Sequence, residues 1–173
     1  MGPLIIDVEA SGMGHGSYPI EVGVALPNGE AHCLIIRPEP DWTHWDLRAE
    51  ALHGISRDTL LRHGQPVKEV AASLNRWLAG KTAYTDAWGN DSSWLALLFH
   101  RAEVRQQFHL QALRALISDQ QLACWHQVKA RVERDSGYTR HRASHDAMIL
   151  QLTFQQTEAV LQPAGLFTGS GHL

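Results

Sequence analysis

Asp7 and Glu9 stand two residues apart in Leu4-Ile5-Ile6-Asp7-Val8-Glu9, a run that is otherwise apolar. On a β-strand, residues i and i+2 point to the same face, so both carboxylates would share one side of a sheet. Two like charges beside an apolar run are costly unless something positive sits between them, and a divalent cation is the simplest such group. Taken alone, the pair also fits the wet face of an antiparallel edge strand.

Two further aspartates fall where such a strand could meet them. Asp91 opens the helix expected after a fourth strand, and Asp146 lies in the last helix, following His141. Singly, Asp91 reads as a helix-dipole residue and Asp146 as part of a solvated face. Five residues of helix turn the chain through about 140°, so His141 and Asp146 do not stack but can border one cleft. Together, four carboxylates and a histidine are the parts that phosphodiester hydrolysis needs. Two oxygen-preferring cations about 4 Å apart stabilise the attacking and leaving oxygens. Carboxylates suit Mg²⁺ or Mn²⁺, and a neutral imidazole can take a proton from water.

The elements that must position these groups are legible from periodicity and turn residues. Strands are expected over residues 4–8, 19–26 and 31–37, the last two joined by the Asn28-Gly29 hairpin. Residues 38–53 read as irregular. Ser56 caps a short helix through Leu61, and Pro66 begins another that stops at Gly80. A strand over 81–85, a helix over 91–102, a short strand over 108–110 and helices over 111–117, 119–133 and 141–157 complete the order. Three antiparallel strands followed by alternating helices and strands predict an α/β fold, with a mixed central sheet flanked by helices and the first strand central. One domain over residues 1–162 is expected, with 163–173 as a Gly/Ser-rich tail expected to be flexible.

Composition narrows the classes. The chain has 173 residues, 44% hydrophobic and 19% charged, enough for one sizeable core. A net charge of −3 is not the footprint of a protein that grips long duplexes by bulk charge. Cys33 and Cys124 have no CxxC companions, which argues against a zinc knuckle and suggests a reducing compartment. No apolar run approaches the ~18 residues of a membrane span. The opening Met-Gly-Pro-Leu lacks a signal layout, so no membrane association and a cytoplasmic location are expected.

The motifs resemble the DEDD superfamily of 3′–5′ exonucleases in its histidine-containing (DEDDh) branch, which includes DnaQ-like proofreading subunits, ribonuclease T and oligoribonuclease. Ile6-Asp7-Val8-Glu9-Ala10-Ser11-Gly12 resembles the first motif, with Ala10-Ser11 where the family usually has two threonines. Ile20 to Ala25 resembles the second-strand pattern, and Ala51-Leu52-His53-Gly54-Ile55 the segment before the first helix. Asp91-Ser92-Ser93-Trp94-Leu95 resembles the second motif and His141 to Ala147 the third. The tyrosine branch would carry tyrosine at position 142, which is arginine here.

The resemblance, over residues 4–155, implies a ribonuclease-H-like fold. It implies that Asp7, Glu9, Asp91 and Asp146 hold two divalent ions, Mg²⁺ or Mn²⁺, with His141 as general base. It implies hydrolysis at single-stranded DNA or RNA 3′ ends with release of nucleoside 5′-monophosphates, and a homodimer as an assembly to expect. Ser11, Gly12, Leu52 and His53 become the expected walls for the terminal nucleotide, with Asp86 and Arg142 just behind the ligands. Trp42, Trp45 and Trp88 are candidate stacking platforms, and Arg140 and Arg142 candidate phosphate contacts. His145 reads as a surface or packing residue. The competing reading is a catalytically silent nucleic-acid-binding module on the same fold. It leaves unexplained why mutually repelling carboxylates would be kept.

Overall fold

The computed structural model describes residues 1–161; the tail expected over 163–173 lies outside the described residues. Five strands form one sheet in the order β3-β2-β1-β4-β5. They are β1 (Ile5–Ala10), β2 (Pro19–Ala25), β3 (Ala31–Ile35), β4 (Thr82–Thr85) and β5 (His109–Ala112). The β1/β2 and β2/β3 pairs are antiparallel, whereas β1/β4 and β4/β5 are parallel. This is the expected mixed sheet, with β1 at its centre, on a ribonuclease-H-like plan.

Helices cover both faces. They are α1 (Leu47–His53), α2 (Arg57–His63), α3 (Val67–Leu78), α4 (Trp88–Ala102), α5 (Asp119–Asp135) and α6 (Ala143–Leu161). The alternation of β1 decides which side chain meets which layer. Ile6 and Val8 join a cluster with Val70 and Leu74 of α3 and Leu95 and Leu98 of α4. Ile5 joins the opposite cluster with Trp125 of α5 and Ala147, Leu150 and Phe154 of α6. Asp7 and Glu9 therefore share the face that α6 covers. Each large aliphatic side chain buried in these layers contributes about 1.5–3 kcal/mol. Among the described residues, no helix is long and apolar enough to cross a membrane.

Local signals explain most boundaries. Ser56 caps α2 by accepting from Thr59 N, and Ser118 and Gln121 form a capping box on α5. Gly23 on β2 is required by close packing instead. A Cβ there would lie 2.0 Å from Ser144 N, so only glycine lets the start of α6 lie against the strand.

The structure corrects several boundaries. The segment read as irregular contains α1, capped by Asp46 and ended by Gly54 in the left-handed region. The helix expected over 111–117 is only a single turn of 3₁₀ at Leu113–Ala115, because β5 runs on to Ala112. The last helix starts at Ala143, not at His141, whose φ of 62° is incompatible with a helix interior.

Candidate active site

Three of the expected groups meet at one point. Glu9, His141 and Asp146 each offer a ligand atom, all within 4.8 Å of one another. β1 supplies Glu9; the turn before α6 supplies His141; the first turn of α6 supplies Asp146. The left-handed backbone at His141 brings these last two together, and His141 N donates to Asp146 Oδ2 at 2.9 Å. Asp146 Oδ1 is buried and accepts no aligned hydrogen bond; Arg140 Nε, 2.8 Å away, offsets its charge.

Asp7 and Asp91 belong to the same electrostatic cluster. Loss of water pushes the Asp7 carboxyl well above the usual range, and the charges of Asp91, Glu9, Asp146 and Asp86 push it further. Glu9 rises to about 7, first by burial and then by Asp146. Asp91, almost fully buried near the start of α4, also rises to about 7, chiefly by burial. Thr85, at the end of β4, donates its hydroxyl to Asp91 Oδ2 and so orients that carboxylate. Thr85 carries no motif signal in the sequence. Asp86 stands nearby at the surface and pairs with Lys129 at 3.6 Å.

This donor set fits hard divalent cations. Its carboxylates are crowded and repel one another, and Asp146 Oδ1 accepts no aligned hydrogen bond even with Arg140 Nε 2.8 Å away. A soft thiolate site is absent among the described residues, since Cys33 and Cys124 stand apart from the cluster. His141 and His145 have the four-residue spacing of a helical metal pair, yet His145 Nδ1 accepts from Thr139 N at 3.0 Å and its ring packs on Tyr138.

Without metal, the crowding has a cost with a definite pH dependence. Glu9 and Asp91 bind their protons more tightly folded than unfolded, so stability falls as pH rises from about 4 to about 7. Asp7 acts in the same direction. Glu21 is opposite in sign: its carboxyl is lowered, so its contribution is lost only as pH falls below the ordinary glutamate range. Melting of the EDTA-treated protein is therefore expected to drop by roughly 5 °C or more between about pH 5 and pH 8. Saturating Mg²⁺ or Mn²⁺ should remove most of that drop. A flat metal-free profile would contradict the crowding.

Beside the carboxylates lies a cleft of about 130 Å³, lined by Glu9, Gly12, Leu52, His53, Trp94 and His141 among others. Met13 and Leu52 flank it, 64% and 62% exposed. His53 is buried; its Nδ1 accepts from Ile55 N at 3.1 Å, which leaves the proton on Nε2, and that buried N–H has no partner.

Other expected contacts lie elsewhere. Ser11 is fully buried, its hydroxyl bonded to His44 Nδ1 at 2.9 Å and accepting from Tyr18 N, so it braces the loop after β1 instead of facing the cleft. Trp42 is buried and stacked on Tyr18, which removes it as a platform. Trp45 donates to Glu50 at 2.6 Å and meets the edge of His53. Trp88 is half exposed and donates to Leu110 O. Trp94, read from the sequence only as part of the second motif, lines the cleft and donates to Ser17 Oγ at 3.0 Å. Arg140 is paired with Glu133 and Asp146, and Arg142 with Glu21, so carboxylates of the chain already engage both guanidinium groups.

No family model matches the chain, and no curated protein does. Solved structures do match. An exonuclease I from Methylocaldum szegediense superposes with a TM-score of 0.69 at 14% identity, over 94% of this chain and 41% of that one. E. coli exonuclease I in complex with a dA16 oligonucleotide gives 0.67 at 13% identity, over 92% and 41%. The zinc-bound form of the E. coli exonuclease I–ssDNA complex gives 0.68 at 13%, again over 92% and 41%. The chain spans about 41% of the length of the solved structures it matches. The likeness establishes the fold, that of the matched exonuclease I structures.

Proposed function

We propose that this chain, on a fold it shares with exonuclease I, is a metal-dependent 3′–5′ exonuclease. It would hydrolyse phosphodiester bonds at single-stranded DNA or RNA ends and release nucleoside 5′-monophosphates. The observation that carries the reading is the convergence of Glu9, His141 and Asp146 within 4.8 Å, beside two more carboxylates that repel them. A silent binding module has no use for such repulsion, whereas a metal centre does.

In this reading Asp7, Glu9, Asp91 and Asp146 hold the divalent ions. Two such ions would supply charge stabilisation for the attacking and leaving oxygens. The chain's own residues do the rest. His141 accepts the proton of the attacking water, and its place is held by its backbone bond to Asp146. Arg140 offsets the charge of Asp146 and holds that side chain in place. Met13 and Leu52, both lining the cleft, offer apolar contact to the terminal base. That contact ignores base identity, as a non-specific exonuclease requires. The free Nε2–H of His53 donates to an oxygen of the terminal nucleotide, which relieves a buried donor otherwise left unpaired. Single-stranded substrates suit the modest net charge, and the oligonucleotides in the matched exonuclease I structures are consistent with them.

The test is digestion of matched single-stranded DNA and RNA oligonucleotides with Mg²⁺ or Mn²⁺ and with EDTA. Shortening of at least one substrate that stops with EDTA is expected. Binding without cleavage in both metals would favour the silent module.

A further inference from the structure

A residue that binds the chain between His141 and Asp146 lies on neither of their elements. Glu21 is on β2, paired in register with Glu9 on β1, and is fully buried. Its Oε1 accepts from Arg142 Nη2 at 2.6 Å and from Nε at 3.0 Å. Its Oε2 accepts at 2.8 Å from Ala143 N, the first residue of α6. The Cys33 thiol on β3 donates to Oε1 at 3.1 Å. Helix starts leave backbone N–H groups unsatisfied and are usually capped by a side chain just before the helix. Here a carboxylate from the sheet does it. Two residues along β2, Gly23 lets the backbone of Ala143 and Ser144 sit directly on the strand. The start of α6 is thus held by an ion pair between the buried Glu21 and the partly exposed Arg142 on one side and a backbone contact on the other.

We propose that Glu21, gripped by Arg142, is a positioning residue of the candidate site: it fixes the first turn of α6 on β2 and so sets where His141 and Asp146 stand relative to Asp7 and Glu9. The inference rests on reading that site as a nuclease centre. Its geometric core does not, because it concerns the segment carrying the His141 N–Asp146 Oδ2 bond. A core position that only needed filling would accept an apolar residue. Glu21 instead directs its buried charge at three contacts to one chain segment.

The test compares Glu21→Leu/Arg142→Met with Glu21→Gln/Arg142→Gln. Replacing an ion pair whose carboxylate is buried with apolar residues of similar size is often neutral for folding, and Arg142 is already partly exposed, so the first variant should melt near the native protein. Its His141 amide should exchange with solvent faster while the amides of β1 keep their protection. Its kcat on a single-stranded oligonucleotide should fall by about 10²-fold with KM little changed, as misplacement of reacting groups does. The amide pair can still accept from Ala143 N and should recover both slow exchange and most of kcat. Native exchange at His141 in the folded apolar variant overturns the proposal, whatever the nuclease assay shows. If the native protein cleaves nothing, the nuclease reading fails and the exchange measurement still decides the positioning role. Should the apolar pair not fold, Arg142→Lys, which loses the two-pronged grip but keeps the charge, takes its place with the same readouts.

Discussion

Asp7→Asn is expected to lower kcat on a single-stranded oligonucleotide by about 10³-fold or more and, at the same time, to raise the melting temperature of the metal-free protein. Both effects come from one carboxylate. Asp7 sits on the central strand and faces the charges of Asp91, Glu9, Asp146 and Asp86. Losing a ligand that supports several kcal/mol of transition-state stabilisation costs a factor of ten for each 1.4 kcal/mol or so. Asparagine keeps the shape and removes the repelled charge, so the metal-free fold should gain about 3 °C or more near neutral pH. The gain should shrink as pH falls toward 4, where the native carboxyl carries its proton. Activity close to native would remove Asp7 from the site. A lower melting point at neutral pH would mean that its charge is satisfied by the fold and not waiting for a cation.

The second large effect is expected at His141. His141→Asn should lower kcat by about 10²–10⁴-fold, the usual contribution of a general base, while KM and Mn²⁺ affinity stay near native. Asparagine is the informative substitute because it tolerates the left-handed backbone that His141 adopts at φ 62°. Its backbone N–H can still donate to Asp146 Oδ2, so the segment should hold its place. The proximity of His141 to Glu9 and Asp146 also permits a ligand role. Calorimetry with Mn²⁺ separates the two: a weakened Mn²⁺ affinity that tracks the loss of kcat would make His141 a ligand instead of a base.

The sheet is legible in the sequence because its determinants are local. The apolar run around Asp7, the Asn28-Gly29 turn and the Ser56 cap each act within a few residues. Carboxylates on a strand face, and a histidine five residues before an aspartate, are readable for the same reason. What escapes depends on contacts between distant segments. α1 is seven residues long with Leu47 and Leu52 exposed, so it has no buried stripe to detect, although Asp46 and Gly54 mark its ends. The first residue of α6 donates its N–H to Glu21, more than a hundred residues earlier, and no pattern near His141 announces that contact. Trp94 has helical spacing compatible with the core, and only the packing of α4 beside the loop after β1 turns it to the cleft. Ser11 and Arg142 read by position as site residues, and the partners that occupy them, His44 and Glu21, come from other parts of the chain.

End polarity is the most direct test of an exonuclease that works from the 3′ end. Two single-stranded oligonucleotides of one sequence, one blocked at its 3′ end and the other at its 5′ end, should be incubated with the protein and Mn²⁺ and the products identified by mass. The prediction is nucleoside 5′-monophosphates from the strand with a free 3′ end and none from its 3′-blocked twin. Internal fragments, or equal digestion of both strands, would contradict it.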